Sequence, residues 1–220
     1  YLSKQTCSKQ FMSFSPQAHI LYLHGFLSSP MSAKAHQMRM YLAKHFPHIQ
    51  MHSPQLSGVP SEAVDQATQR FMALQEAYAA RFIGVIGSSM GGFLTTHLLE
   101  NVSTATFRPR GILINPAVAP HLLFPDYLGT HTNPYTQQIF TLSEHDLDAL
   151  EVLYMPTIDH AEQFQVWLET ADEILDYRLA ETLYANSELR ITQGGDHSFQ
   201  GFAEALGDIC AFLVCERFAQ

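Results

Sequence analysis

Apolar residues crowd into short runs at 20–23, 82–86, 111–114 and 164–168, rich in β-branched and aromatic side chains. Runs of this length without polar alternation read as strands buried on both faces of a sheet. Two weaker segments, 49–52 and 189–192, alternate polar and apolar and suit strands nearer the sheet edges. Between the runs the period lengthens. Ala35, Met38, Leu42 and His45 trace a helical face that stops at Pro47, and Val64, Ala67, Phe71, Leu74 and Tyr78 trace a second, with Ser61 expected as its N-cap. Residues 91–100, 173–185 and 199–218 are three further helix candidates. Strands separated by single helices predict right-handed crossovers and an α/β fold: about six mostly parallel strands with helices on both faces.

Two segments depart from this rhythm. Residues 1–17 are polar and aperiodic and read as an N-terminal extension, leaving 18–220 as one domain. Residues 116–160 carry Pro116, Pro120, Pro125, Pro134 and Pro156 among short apolar clusters, the pattern of a small cap inserted after a strand. The full chain has 220 residues, 46% apolar and 15% charged, which excludes a disordered chain. Twelve basic against 21 acidic residues leave a formal charge of −9, so nucleic acid and anionic membrane surfaces are not expected partners. From 111 to 177 there is no Lys or Arg but there are many acids, a stretch expected to be a solvated face. The stretches 10–33 and 82–99 lack charge, but prolines and glycines break both, so no membrane span is expected. Three cysteines and no visible signal peptide point to a reducing, cytoplasmic setting, with Cys210 and Cys215 as apolar filler. His45, His48 and His52 are spaced like metal ligands, but Pro47 breaks the helix between them and no metal is expected.

The chemistry concentrates at Gly87-Ser88-Ser89-Met90-Gly91, a G-x-S-x-G sequence between a predicted strand and a predicted helix. A shuffle of this composition would hold about 0.05 such matches, before any demand for strand and helix context. A tight strand-to-helix turn lifts the Ser89 hydroxyl clear of the sheet, and Gly87 and Gly91 relieve the crowding at its flanks. The Met90 N–H then sits at the helix start, where it can donate to a developing oxyanion. A second donor is expected from Phe26, because Gly25 lets the chain turn after the 20–23 strand. His24 reads as a structural hydrogen-bonding residue. A serine needs a base, and the base a carboxylate. His197 follows the last predicted strand, at the sheet edge where sites form, and Asp172 follows the 164–168 strand, giving the chain order Ser, Asp, His. Glu173, Asp176 and Asp196 are competing acids nearby. The cap offers Leu122, Leu123, Phe124, Tyr127 and Tyr135 as walls for an acyl pocket.

The segments HGF (24–26), GSSMGG (87–92), INPAV (114–118), DYLG (126–129), NPY (133–135), ADEILDYR (171–178) and GGDHSF (194–199) occur in one order that resembles the YqiA-like esterases, small bacterial α/β-hydrolases. The similarity spans roughly residues 19 to 215. It implies the α/β-hydrolase fold without the first two strands of larger members, and hydrolysis of carboxylic esters or acyl thioesters by Ser89, Asp172 and His197. Residues 1–17 depart from the family, which begins almost directly at the HGF strand. The expected reaction is acyl transfer to Ser89 and then to water, needing no cofactor, on a small water-soluble ester of moderate acyl length. Coenzyme A thioesters would need Lys34 or Arg39 for their phosphates, since the cap carries no cation. The same triad would also serve peptide or carbon–carbon bond hydrolysis, and a binding protein could keep the fold without turnover.

Overall fold

The computed structural model describes residues 18–104 and 108–214, so the extension predicted over 1–17, Cys7 and Cys215 lie outside the described residues. Six strands form the main sheet: β1 (Ala18–Leu23), β2 (Ile49–His52), β3 (Phe82–Ser88), β4 (Arg110–Ile114), β7 (Phe164–Glu169) and β8 (Glu188–Thr192), in the order β2-β1-β3-β4-β7-β8. Every neighbouring pair is parallel. The two alternating segments, β2 and β8, take the edges, where one face and one ladder side meet water.

Successive side chains along a strand point to opposite faces, so β1 sends Leu21 and Leu23 into one core and Ile20 and Tyr22 into the other. The first core is closed by α2 (Pro60–Tyr78) through Ala67, Phe71 and Leu74, and by α3 (Met90–His97) through Phe93 and Leu94. The second is closed by α1 (Ala33–His45) through Ala35, Met38 and Leu42, and by α7 (Phe202–Val214) through Phe202, Leu206, Ile209 and Cys210. Cys210 is buried there as filler, and burial pushes its thiol up to about 12.

Several helix ends differ from expectation. α2 starts at Pro60 with Val59 at the N-cap and not Ser61, because proline at the first position needs no N–H partner. α3 ends at His97 and continues as a π turn over Leu98–Val102. The helix expected over 173–185 is α6 (Tyr177–Leu183), capped by Asp176, whose side chain accepts from the Arg178 N–H. The one expected from 199 starts at Phe202, since Phe199 adopts φ +59 and turns the chain before it.

The 116–160 segment is more structured than its prolines suggested. It holds α4 (Pro120–Leu123), a two-stranded antiparallel hairpin of β5 (Gly129–Thr132) and β6 (Ile139–Leu142), and α5 (Glu144–Val152). Ser143 and Asp146 form a capping box that starts α5 and buries the Asp146 side chain. The chain moves from β1 to β2 on one side and returns to β3 on the other, so the strand order reverses between β1 and β3. A crevice opens at the carboxyl ends of strands around such a reversal.

Candidate active site

The carboxyl ends of β1 and β3 carry the His24-Gly25-Phe26 turn and Ser89. Ser89 is forced to φ +54 and ψ −120, a conformation that side chains rarely adopt. It is held there by its N–H bonding the Ile114 carbonyl at 3.0 Å and by its own carbonyl accepting from Gly92 and Ala117. The flanking glycines are sterically required. A Cβ on Gly87 would overlap the Gly91 carbonyl, and one on Gly91 would overlap the Leu23 carbonyl. Gly25 lies against the same serine, where an added Cβ would stand 3.1 Å from Ser89 Cβ and 3.5 Å from its Oγ.

Ser89 Oγ is 3.1 Å from His197 Nε2, and His197 Nδ1 is 2.9 Å and 3.0 Å from the two Asp172 oxygens. Since a carboxylate can only accept, Nδ1–H donates to Asp172 and Nε2 is left to accept from the serine hydroxyl. The Asp172 side chain is 2% exposed against 24% for His197, so the acid is sealed beneath a ring that reaches the surface. Asp172 Oδ1 also accepts from the Ile174 and Leu175 N–H groups, both at 2.9 Å, which fixes the carboxylate in its turn. The competing acids go elsewhere: Glu173 accepts from the His197 backbone N–H, Asp176 caps α6, and Asp196 bonds Ser198 and Gln200.

His24 is 3% exposed and serves the backbone. Its Nε2 accepts from the Leu56 N–H at 3.0 Å, so Nδ1–H donates to the Gly25 carbonyl at 2.9 Å and braces the turn beside Ser89. Burial pushes its pKa down, against a smaller opposing effect from the Gly25 hydrogen bond.

A cleft of about 380 Å³ opens on Ser89 and His197, lined also by Gly25, Phe26, Lys34, Tyr135 and Glu173. Of the cap residues expected to wall an acyl pocket, only Tyr135 reaches this cleft. Leu122 and Leu123 line a separate apolar cavity of about 260 Å³ with Ile174, Leu175 and Leu179. Phe124 and Tyr127 pack on Phe26, at ring-centre distances of 4.9 Å and 6.1 Å. The cap therefore uses its aromatics to seat the Phe26 turn. Lys34 Nζ donates to the Ser198 carbonyl at 2.7 Å; burial lowers its pKa while Asp196, Asp172 and Glu169 pull it up. Arg39 faces another cavity, beside β2. Among the described residues no group of His, Cys, Asp or Glu is arranged to hold a metal ion, and no helix is long and apolar enough to cross a membrane.

The expectation of a solvated acidic face fails at three positions. Besides Asp146 and the Asp172 carboxylate, Glu169 at the end of β7 is 2% exposed. Asn115, at the end of β4, is 3% exposed and adopts φ +39. Neither was singled out from the sequence, although both occupy the carboxyl ends of central strands, the one signal that points to them.

The profile of the uncharacterised protein family UPF0227 matches residues 19–214. The chain belongs to UPF0227. This is the YqiA-like family that its motifs resemble. Solved structures similar to this family member include an esterase domain from a Rhodothermus marinus protein, with a TM-score of 0.65, 15% identity, and coverage of 91% of this chain and 88% of that one. Another is Est1E of Butyrivibrio proteoclasticus with ferulic acid bound, with a TM-score of 0.67, 12% identity, and coverage of 91% and 93%. Mouse alpha/beta hydrolase domain-containing protein 10 gives a TM-score of 0.62 and 16% identity over 87% and 88%. At these identities the likeness establishes the α/β-hydrolase fold of this UPF0227 chain.

Proposed function

We propose that this chain is a serine hydrolase that cleaves carboxylic esters or acyl thioesters through an acyl-enzyme. The observation that carries this reading is the unbroken hydrogen-bonded chain from Asp172 through His197 to Ser89 Oγ, opening onto a cleft. In this mechanism His197 Nε2 takes the hydroxyl proton as Ser89 Oγ attacks the carbonyl carbon. Asp172 holds the ring and stabilises its charged form. The Phe26 and Met90 N–H groups donate to the tetrahedral oxygen, a contribution of roughly 3 kcal/mol for each well-placed donor. His197 then protonates the leaving alcohol or thiol. A water molecule, deprotonated by the same ring, attacks the acyl-serine and releases the acid. The esterase names of the similar folds favour an ester over a peptide, and the mixed polar lining of the cleft favours a compact, water-soluble substrate.

Ser89→Ala should lower kcat on a p-nitrophenyl ester by about 10⁴ to 10⁶ while the circular dichroism spectrum is unchanged. A fluorophosphonate should label the parent and not the variant. Ester turnover that survives in purified Ser89→Ala would reject the assignment.

A further inference from the structure

His197 stands on a loop that regular secondary structure barely supports, and side chains from four other segments grip its backbone. Glu169 Oε2 accepts from the Asp196 N–H at 2.9 Å and the Gln200 N–H at 3.0 Å, and its Oε1 accepts from the Gly201 N–H at 2.9 Å. Asn115 takes the other side of the same residue: its Nδ2 donates to the Asp196 carbonyl at 3.0 Å, while its Oδ1 accepts from the Glu169 N–H at 3.0 Å. Glu173 Oε2 accepts from the His197 N–H, and Lys34 Nζ donates to the Ser198 carbonyl. The loop rides so close on Glu169 that a Cβ at Gly195 would overlap the carboxylate, and Gly195 has φ +75, which glycine alone adopts freely. Both Glu169 and Asn115 are buried, and neither lines the cleft at Ser89. A buried carboxylate accepting three backbone N–H groups forms charge-assisted bonds that set the loop's path. The residue clamped from both sides, Asp196, immediately precedes His197.

We propose that Glu169 and Asn115 are positioning residues for the catalytic base, fixing the 194–201 backbone so that the His197 ring meets both Asp172 and Ser89. The inference rests on His197 acting as that base. Because a misplacement of about 1 Å can cost about 100-fold in rate, loss of the clamp acts on chemistry more than on binding. Glu169→Ala should lower kcat on a p-nitrophenyl ester by about 10- to 100-fold with KM within about two-fold of the parent. Amide hydrogen exchange should accelerate at Asp196, Gln200 and Gly201. Glu169→Gln keeps an oxygen for Asp196 and Gln200 but sets its amide N–H against the Gly201 N–H, so it should restore part of the lost kcat and leave exchange at Asp196 and Gln200 near the parental rate. Should Glu169→Ala not fold, Asn115→Gly carries the same test, because glycine tolerates the positive φ while both side-chain bonds disappear. A folded Glu169→Ala or Asn115→Gly with parental kcat overturns the inference, as does a loss that Glu169→Gln fails to restore even in part. His197→Ala measured in parallel separates the two claims: if it abolishes turnover while the clamp variants keep the parental kcat, the base assignment stands and the clamp falls. If His197→Ala retains turnover, the base assignment falls and takes the clamp with it.

Discussion

At the scale of single residues, the turn at Ser89 is a strained conformation kept in place by its neighbours. Ser89 at φ +54 costs about 1–3 kcal/mol locally. The surrounding hydrogen bonds and the close passage of Gly91 over the Leu23 carbonyl offset it. Gly91→Ala should therefore destabilise the fold by at least about 3 kcal/mol, because the added methyl meets backbone that cannot rotate away; urea unfolding measures this. The glycine spacing made this turn readable from the chain. Glu169 was hidden for a physical reason: among the eleven acids of the 111–177 stretch, which holds no Lys or Arg, nothing local distinguishes one that will be buried against backbone donors. The pair His19 and His52 makes a second residue-scale prediction. Arg70 donates to His52 Nδ1 at 2.8 Å, leaving Nε2–H to face His19 Nδ1 at 3.0 Å. Burial first, then the Arg70 and His19 charges, push the His52 pKa from 6.5 down to about 4. The folded protein resists a proton that the unfolded chain accepts, so stability should be full above pH 6.5 and fall as pH drops toward 4. Thermal melts of His52→Gln should show a shallower fall across that window than the parent.

At the scale of elements, strands buried on both faces announced themselves, because a short apolar run has few other uses. β5 and β6 did not. β5 is Gly-Thr-His-Thr, without an aliphatic residue, and β6 exposes Ile139 and Thr141 while burying Phe140 and Leu142. Their pairing becomes favourable only where Phe140 finds Gly58, which leaves room for its ring. The tip of this hairpin is tied to the HGF turn by Asn133, which donates to the Ser28 carbonyl at 3.0 Å and accepts from the Tyr135 and Thr136 N–H groups. Asn133→Ala should free Tyr135 from the cleft, raising KM for a p-nitrophenyl ester by about three- to ten-fold with a smaller change in kcat. Steady-state kinetics separates the two.

At the scale of the whole molecule, one sheet is shared by two cores, so neither face can unfold while the other keeps its strands. Phe71, fully buried in one of them, should cost about 3–5 kcal/mol as Phe71→Ala, and calorimetry should still record one cooperative transition. The alternation of buried runs and amphipathic helices determined the α/β layers, and the short-range chemistry of G-x-S-x-G determined where a nucleophile could stand, because both are written in residues within a few positions of each other. Tertiary structure alone decided that Asp172, His197 and Ser89 meet, that Glu169 and Asn115 hold the His197 loop, and that Phe124 and Tyr127 brace Phe26 while only Tyr135 reaches the cleft. Those contacts join residues 25 to more than 100 positions apart, and such distances are set by sheet order and crossover geometry, which no local pattern encodes.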